Sequence, residues 1–174
     1  MDVIISDVDG TVFDVTERIK KSLLDVGLKP GSDPIATADN LVRPHRGRFL
    51  DVFLSNRYID LDTPVPAIIE TLARLQAETD LPLVFLTGRP NNLRRPTEKA
   101  LEETGLRIVG IHVRSQRERF KRTTEFKVDL VRRKQLMPVH IFDDDPEILA
   151  AFAEAFPAAH LHLVRGSQTT PWPD

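Results

Sequence analysis

The chain reads as an α/β protein: a three-layer, Rossmann-like, mainly parallel sheet with helices on both faces and a small insertion (cap) after the first strand. Three observations carry this reading. Short, nearly unbroken apolar runs at Val3-Ile4-Ile5, Leu83-Val84-Phe85-Leu86, 108–113 and Val139-His140-Ile141-Phe142 suit strands buried on both faces. Apolar residues at helical spacing separate these runs, the alternation that builds a parallel sheet. Three of the runs end in polar groups, at the C-terminal strand ends where open α/β sheets bind ligands.

The first strand runs into Asp7-Val8-Asp9-Gly10-Thr11. Ile19, Leu23 and Val26 then recur at helical spacing, and Gly27 stops that helix. Residues 29–62 are irregular, punctuated by Pro30, Gly31, Pro34, Pro44 and Gly47, with one short amphipathic helix around Phe49, Leu50, Val52, Phe53 and Leu54. Thr63 before Pro64 predicts an N-cap with proline at the first helical position. The helix it opens carries Ile68, Ile69, Leu72 and Leu75 to about Glu78. The second strand ends at Thr87-Gly88-Arg89, a helix near 97–103 closes at Gly105, and a third strand follows at 108–113. A helix over about 124–135 precedes the Val139 strand. Asp145-Pro146 caps a last helix holding Ile148, Leu149, Phe152 and Phe156. Residues 160–164 make a final short strand, and the residues after Gly166 read as a loose tail.

Asp7 and Thr87 are 80 residues apart, more than one helix and one crossover need. The expected division is therefore a core of 1–28 and 63–166, a small cap or insertion at 29–62, and a tail at 167–174. A long surface loop with one helix of its own is the alternative for 29–62.

Composition sets the outer bounds. The 174 residues suit one domain with a proper core, and 41% hydrophobic with 29% charged residues is ordinary for a globular chain. A net charge of −2 gives no global electrostatic case for a nucleic-acid or membrane partner. The absence of cysteine excludes disulfides, thiolate catalysis and Cys-ligated zinc, and fits a reducing compartment. No apolar run approaches membrane-spanning length. Asp7 in the first strand leaves no room for a signal peptide, so a cytoplasmic location is expected. Oligomeric state has no signature here, and the histidines show no pairing at metal-ligand spacing.

The chemistry-bearing residues come in a fixed order. Two carboxylates one residue apart at a strand end converge on a small volume, where one can attack an electrophile and the other can shuttle a proton. Like charges this close cannot all stay ionised without a cation, and carboxylate oxygens suit Mg²⁺. Gly10 lets the backbone turn away tightly, and Thr11 adds a hydroxyl. Thr87-Gly88 places a hydroxyl and a flexible backbone where an anion can sit, and Arg89 offers a planar fork for substrate phosphate or a neighbouring group. Lys127 lies near a predicted helix start, a ready anion site. Asp143-Asp144-Asp145 closes the series, with Asp145 before Pro146 reading as a helix cap.

The order Asp7-x-Asp9-Gly10-Thr11, Thr87-Gly88-Arg89, Lys127, Asp143-Asp144 spans nearly the whole chain and resembles the haloacid dehalogenase superfamily of aspartate-dependent phosphotransferases. The resemblance implies Asp7 as nucleophile forming an aspartyl-phosphate, Asp9 as general acid and base, and Thr87 and Lys127 as phosphate ligands. It implies Mg²⁺ held by Asp7, Asp9 through the backbone, Asp143 and Asp144. Thr11, Gly88 and Arg89 are expected at the substrate, Asp144 as the direct metal ligand, and Asp143 as the group positioning Lys127 or a metal-bound water. Lys121 is the alternative to Lys127. Dehalogenases of that superfamily lack a carboxylate two residues after the nucleophile, so Asp9 favours a phosphatase.

The expected function is a Mg²⁺-dependent phosphomonoester hydrolase acting on a small phosphorylated metabolite or nucleotide. Two basic clusters stay outside this scheme: Arg114, Arg117, Arg119, Lys121 and Arg122, and Arg43, His45, Arg46 and Arg48. Either they are solvated faces or they bind a polyanion such as a nucleic-acid end. Residues 117–127 also resemble the phosphatase half of polynucleotide kinase-phosphatases, which makes a polynucleotide 3′-phosphatase the alternative activity. The chain departs from that pattern in lacking an aspartate there, and it has no P-loop. A receiver-type signalling domain would carry its motifs in the reverse order, and a non-catalytic phosphate-binding scaffold would not need every catalytic position filled.

Overall fold

Continuous apolar runs become strands covered on both sides: Val3, Ile4 and Ile5, and likewise Leu83 through Leu86, are all at most 2% exposed. The structure is a computed structural model and describes residues 1–173. In chain order its elements are β1 (Asp2–Ser6), β2 (Phe13–Asp14), α1 (Thr16–Asp25), α2 (Pro34–Asp39), α3 (His45–Phe53), a 3₁₀ segment (Asn56–Leu61), β3 (Thr63–Pro64) and α4 (Pro66–Thr79). They continue with β4 (Leu83–Pro90), α5 (Arg94–Glu102), β5 (Ile108–Arg114), a 3₁₀ turn (Gln116–Glu118), α6 (Thr123–Arg133), β6 (Met137–Asp143), α7 (Pro146–Ala155), β7 (His160–Arg165) and β8 (Gln168–Trp172). By packing they fall into two compact units, 1–13 with 64–174, and 14–63.

The larger unit is built on a six-stranded sheet of order β5-β4-β1-β6-β7-β8. All neighbours are parallel except β7 and β8. The chain leaves β1 toward β4 and β5, then returns to its other side for β6 and β7, so β1 lies at the point where strand order reverses. Right-handed crossovers then put α4 and α5 on one face and α6 and α7 on the other. The second face is a single core in which Val3, Ile5, Val84, Leu86, Ile141 and Leu161 pack with Phe126, Val131, Leu149 and Phe152.

Three elements differ from the sequence expectation. The helix expected from Pro64 begins at Pro66: the Val65 amide donates to Val12 O at 2.9 Å, and Thr63–Pro64 is a short strand paired with β2. The proline rule holds, but at a second proline two residues on. The tail at 167–174 is not loose over 168–172. Gly166 (φ +58°) and Ser167 form a two-residue hairpin, and β8 pairs with β7 from Gln168 to Trp172, whose indole packs on the core. Finally, three histidines meet in space. His140 Nδ1 and His162 Nε2 share a 3.1 Å hydrogen bond, and His140 stacks on His160 with ring centroids 5.1 Å apart. Pairing of β6 with β7 in register brings together residues twenty apart in sequence.

In the smaller unit, α1 buries Arg18, Ile19, Ser22 and Leu23. Phe49 of α3 is buried there too, and its ring stacks on Phe53 at 5.4 Å. Arg18, with no exposed side-chain surface, lies 3.0 Å from Asp62 Oδ1 and 4.1 Å above the Phe53 ring. This unit therefore begins at residue 14 and takes in α1, where the sequence expectation starts an insertion at residue 29. It holds two helices and a 3₁₀ segment beyond α1 rather than one short helix.

Candidate active site

Register places the acidic residues. Ser6 pairs with Phe85 of β4 and with Phe142 of β6, so the residues that follow, Asp7 and Asp143, emerge side by side at the C-terminal edge of the sheet. The Asp7 amide donates to Phe142 O at 2.9 Å, tying the two strand ends together. This is the switch point at which open α/β sheets bind ligands.

Beyond Asp7 the chain folds into a tight turn. The amides of Thr11, Val12 and Phe13 all converge on Val8 O, and Gly10 takes φ +76°. A Cβ at Gly10 would lie 2.4 Å from Asp144 Oδ2, so only glycine gives this carboxylate its place. Thr11 is fully buried, and its hydroxyl has no hydrogen-bond partner among the described residues. It is thus sealed inside the turn rather than offered to a substrate.

Lys127 rises from the first turns of α6, is 1% exposed, and donates to Asp143 Oδ2 at 2.7 Å. Its ammonium also lies 2.8 Å from Asp7 Oδ1. Lys121, the alternative, is an exposed residue paired with Asp129 at 2.7 Å. Asp143 accepts from the Asp145 amide through its other oxygen at 3.0 Å. Asp145 caps α7 through the Glu147 amide, as expected.

Electrostatics follow from this burial. Desolvation pushes Asp7 well above the usual carboxylate range; Lys127 opposes it, while Asp143 and Asp144 add to it. Burial likewise raises Asp143 against the pull of Lys127. Asp144 is raised to about 7, by burial first and Asp143 second. Burial alone would lower Lys127, but Asp143 and Asp7 outweigh it and hold the ammonium above its ordinary range. One lysine thus faces three carboxylates that cannot all be ionised unaided. Oxygens of Asp7, Asp143 and Asp144 lie within 4.8 Å of one another. An all-oxygen, anionic donor set of this kind fits Mg²⁺.

On β4, Thr87 is 1% exposed and its hydroxyl accepts from the Arg89 amide at 3.1 Å, shaping the turn. Gly88 leaves room for Thr123 at the start of α6, 3.9 Å from where a Cβ would stand. Arg89 corrects the sequence expectation. It is 1% exposed and turns inward: Nε donates to Asp9 Oδ1 at 3.0 Å, Nη2 contacts the same oxygen at 2.5 Å, and Nη1 donates to Thr97 at 2.9 Å. A guanidinium so enclosed holds Asp9 and does not reach for a substrate. Thr97, which anchors it, carries no sequence signal of its own.

No family model and no curated protein matches the chain. Solved structures do. A haloacid dehalogenase-like family hydrolase from Streptococcus pneumoniae superposes with a TM-score of 0.66 at 18% identity, over 91% of this chain and 82% of that one. A predicted phosphatase from Clostridium acetobutylicum gives 0.65 at 12% identity, over 92% and 82%. A chain of the Pnkp1/Rnl/Hen1 complex gives 0.61 at 16% identity, over 94% of this chain but 45% of that one. At these identities the likeness is one of architecture, and the chain has the fold of haloacid dehalogenase-like hydrolases.

Proposed function

We propose that the protein is a phosphomonoester hydrolase that works through an aspartyl-phosphate on Asp7 and depends on Mg²⁺. The observation that carries this is the Asp7–Lys127–Asp143 constellation, buried and ion-paired at the C-terminal ends of β1 and β6. Asp7, Asp143 and Asp144 would hold the cation, with Asp9 contributing through its backbone. Bound there, the metal supplies positive charge that offsets repulsion between Asp7 and a phosphate dianion.

In the first step an Asp7 oxygen bonds to phosphorus and the bond to the ester oxygen breaks. Asp9 gives its proton to the leaving alcohol. In the second, Asp9 takes a proton from water, the water oxygen bonds to phosphorus, and the Asp7–phosphorus bond breaks to release phosphate. Thr87 and Lys127 face the oxygens over which charge spreads in the transition state. Asp143 keeps Lys127 in place, and Arg89 keeps Asp9 in place. The substrate class this reading requires is a phosphate monoester.

The test is p-nitrophenyl phosphate turnover with Mg²⁺ by wild type and Asp7→Asn. An amide cannot attack phosphorus, so Asp7→Asn should lose at least a thousandfold in kcat while melting normally. Turnover within tenfold of wild type would remove Asp7 from the chemistry.

A further inference from the structure

We infer that the loop at 114–122 is a binding surface for single-stranded nucleic acid, which makes the phosphorylated end of a polynucleotide the substrate class of the site. This rests on the hydrolase reading above. The loop carries five basic side chains and one acidic one in nine residues, inside a chain whose net charge is −2. The loop thus carries a net charge of +4 in a chain that is otherwise net acidic.

The carboxylate within the loop is spent internally. Glu118 accepts from the Ser115 hydroxyl at 2.6 Å and pairs with Arg133 at 2.6 Å, which fixes the shape of the 3₁₀ turn. Lys121 and Arg122 have exposed partners, Asp129 and Glu147, the second at 3.7 Å. Arg117 and Arg119 have no carboxylate partner among the described residues. Arg117 lines a cleft of about 570 Å³ with Asn91, Ser115, Gln116, Glu118 and Arg133, large enough for a nucleotide-sized group.

Phe120 supplies the second component. At 85% exposure it is the most exposed large apolar side chain described, and the Arg119 guanidinium lies 4.5 Å from its ring centroid. An aromatic face beside unpaired arginines is the arrangement that stacks bases while tracking phosphates.

The loop also leads into the site. Arg114, at the end of β5, donates to the Thr123 hydroxyl at 2.8 Å. Thr123 borders Gly88 and begins the helix that carries Lys127 one turn on. Asn91, at the cleft, follows Arg89 by two residues. A chain lying on the loop would deliver its terminal phosphate toward Asp7 with its preceding nucleotides on Arg117, Arg119 and Phe120.

Two readouts separate this inference from the hydrolase reading. The first is fluorescence anisotropy with unphosphorylated oligothymidylate and oligouridylate of about ten nucleotides, which needs no catalysis. Wild type should bind, Phe120→Ala should weaken binding roughly 5- to 100-fold, and Arg117→Ala/Arg119→Ala should flatten the log–log salt dependence by about 1.4. The second is kcat/KM for the same oligonucleotides bearing a terminal phosphate, 3′ in one arm and 5′ in the other. The variants should lose at least tenfold more on one of these than on p-nitrophenyl phosphate. No binding, or variants that bind and titrate like wild type, would overturn the loop assignment even if p-nitrophenyl phosphate is turned over. Loop-dependent binding without turnover would support the surface and sink the hydrolase reading instead. Equal displacement by heparin with no effect of Phe120→Ala would mark a plain polyanion face and overturn the assignment to nucleic acid.

Discussion

Arg89 Nε donates to Asp9 Oδ1 across 3.0 Å while the same guanidinium holds Thr97 through Nη1. The two residues are 80 positions apart, and the pairing joins the turn after β1 to the end of β4. Both contacts from the fork fall on one carboxylate oxygen, which anchors that atom of the residue proposed above to move protons. The Phe13 ring, 5.9 Å from the guanidinium carbon, closes the other side.

This relationship makes a kinetic prediction. Lysine cannot reproduce the planar fork, so Arg89→Lys should lower kcat about 10- to 100-fold, part of the 10²–10⁴ that proton transfer contributes. KM should move little, because the arginine is enclosed. The measurement is a steady-state profile on p-nitrophenyl phosphate. A raised KM with unchanged kcat would return Arg89 to direct substrate contact.

The acidic cluster makes a second. EDTA should abolish turnover and Mg²⁺ should restore it. Asp144→Ala should raise the Mg²⁺ concentration for half-maximal rate by tenfold or more, since it removes one of three donors whose oxygens lie within 4.8 Å. A chelated preparation with full activity would exclude the metal. Isothermal titration with Mg²⁺ in the absence of substrate gives an independent reading of the same loss.

Much of this architecture was legible because its determinants are local. Short apolar runs mark parallel strands, and polar residues at their ends mark the ligand edge, so Asp7, Asp143 and Asp144 stood out in sequence, while Lys127, on a helix, was reached from its place near a helix start. What stayed hidden depends on register and on long-range burial. The inward turn of Arg89 follows from Thr97 and Asp9, neither of which signals it. The hairpin at Gly166-Ser167 was readable in principle, since a glycine-led pair between strand formers favours a two-residue turn. The smaller unit also holds the buried Arg18–Asp62 pair, a contact that no periodicity announces.

That ion pair makes a third prediction. Arg18 and Asp62 are both almost wholly buried, at 0% and 5% side-chain exposure. Removing one partner strands the other charge, at a cost of about 3–5 kcal/mol. Asp62→Ala should therefore lower the urea midpoint markedly, while Arg18→Met/Asp62→Leu should recover most of the loss. A double variant no more stable than the single would show that packing around Phe53, rather than the stranded charge, sets the cost.

The histidine cluster makes the last, and its sign can be worked out. His162 is pushed down to about 4, by burial first and by His140 and His160 after it. Its ordinary value is near 6.5, so between pH 6.5 and 4 the unfolded chain takes up a proton that the folded one refuses. Stability then rises with pH across that window: the contribution is whole above pH 6.5 and is lost as pH falls toward 4. A shift of this size would be worth about 3 kcal/mol if fully buried; partial exposure of the ring reduces it to about 1–2 kcal/mol. In chelator-treated samples, wild type should lose about 3–6 °C more than His162→Gln between pH 7.5 and pH 4.5. Thermal melts by circular dichroism at the two pH values measure this directly. Equal losses in both proteins would show that acid sensitivity resides elsewhere, and that the stacked rings of β6 and β7 tolerate the charge.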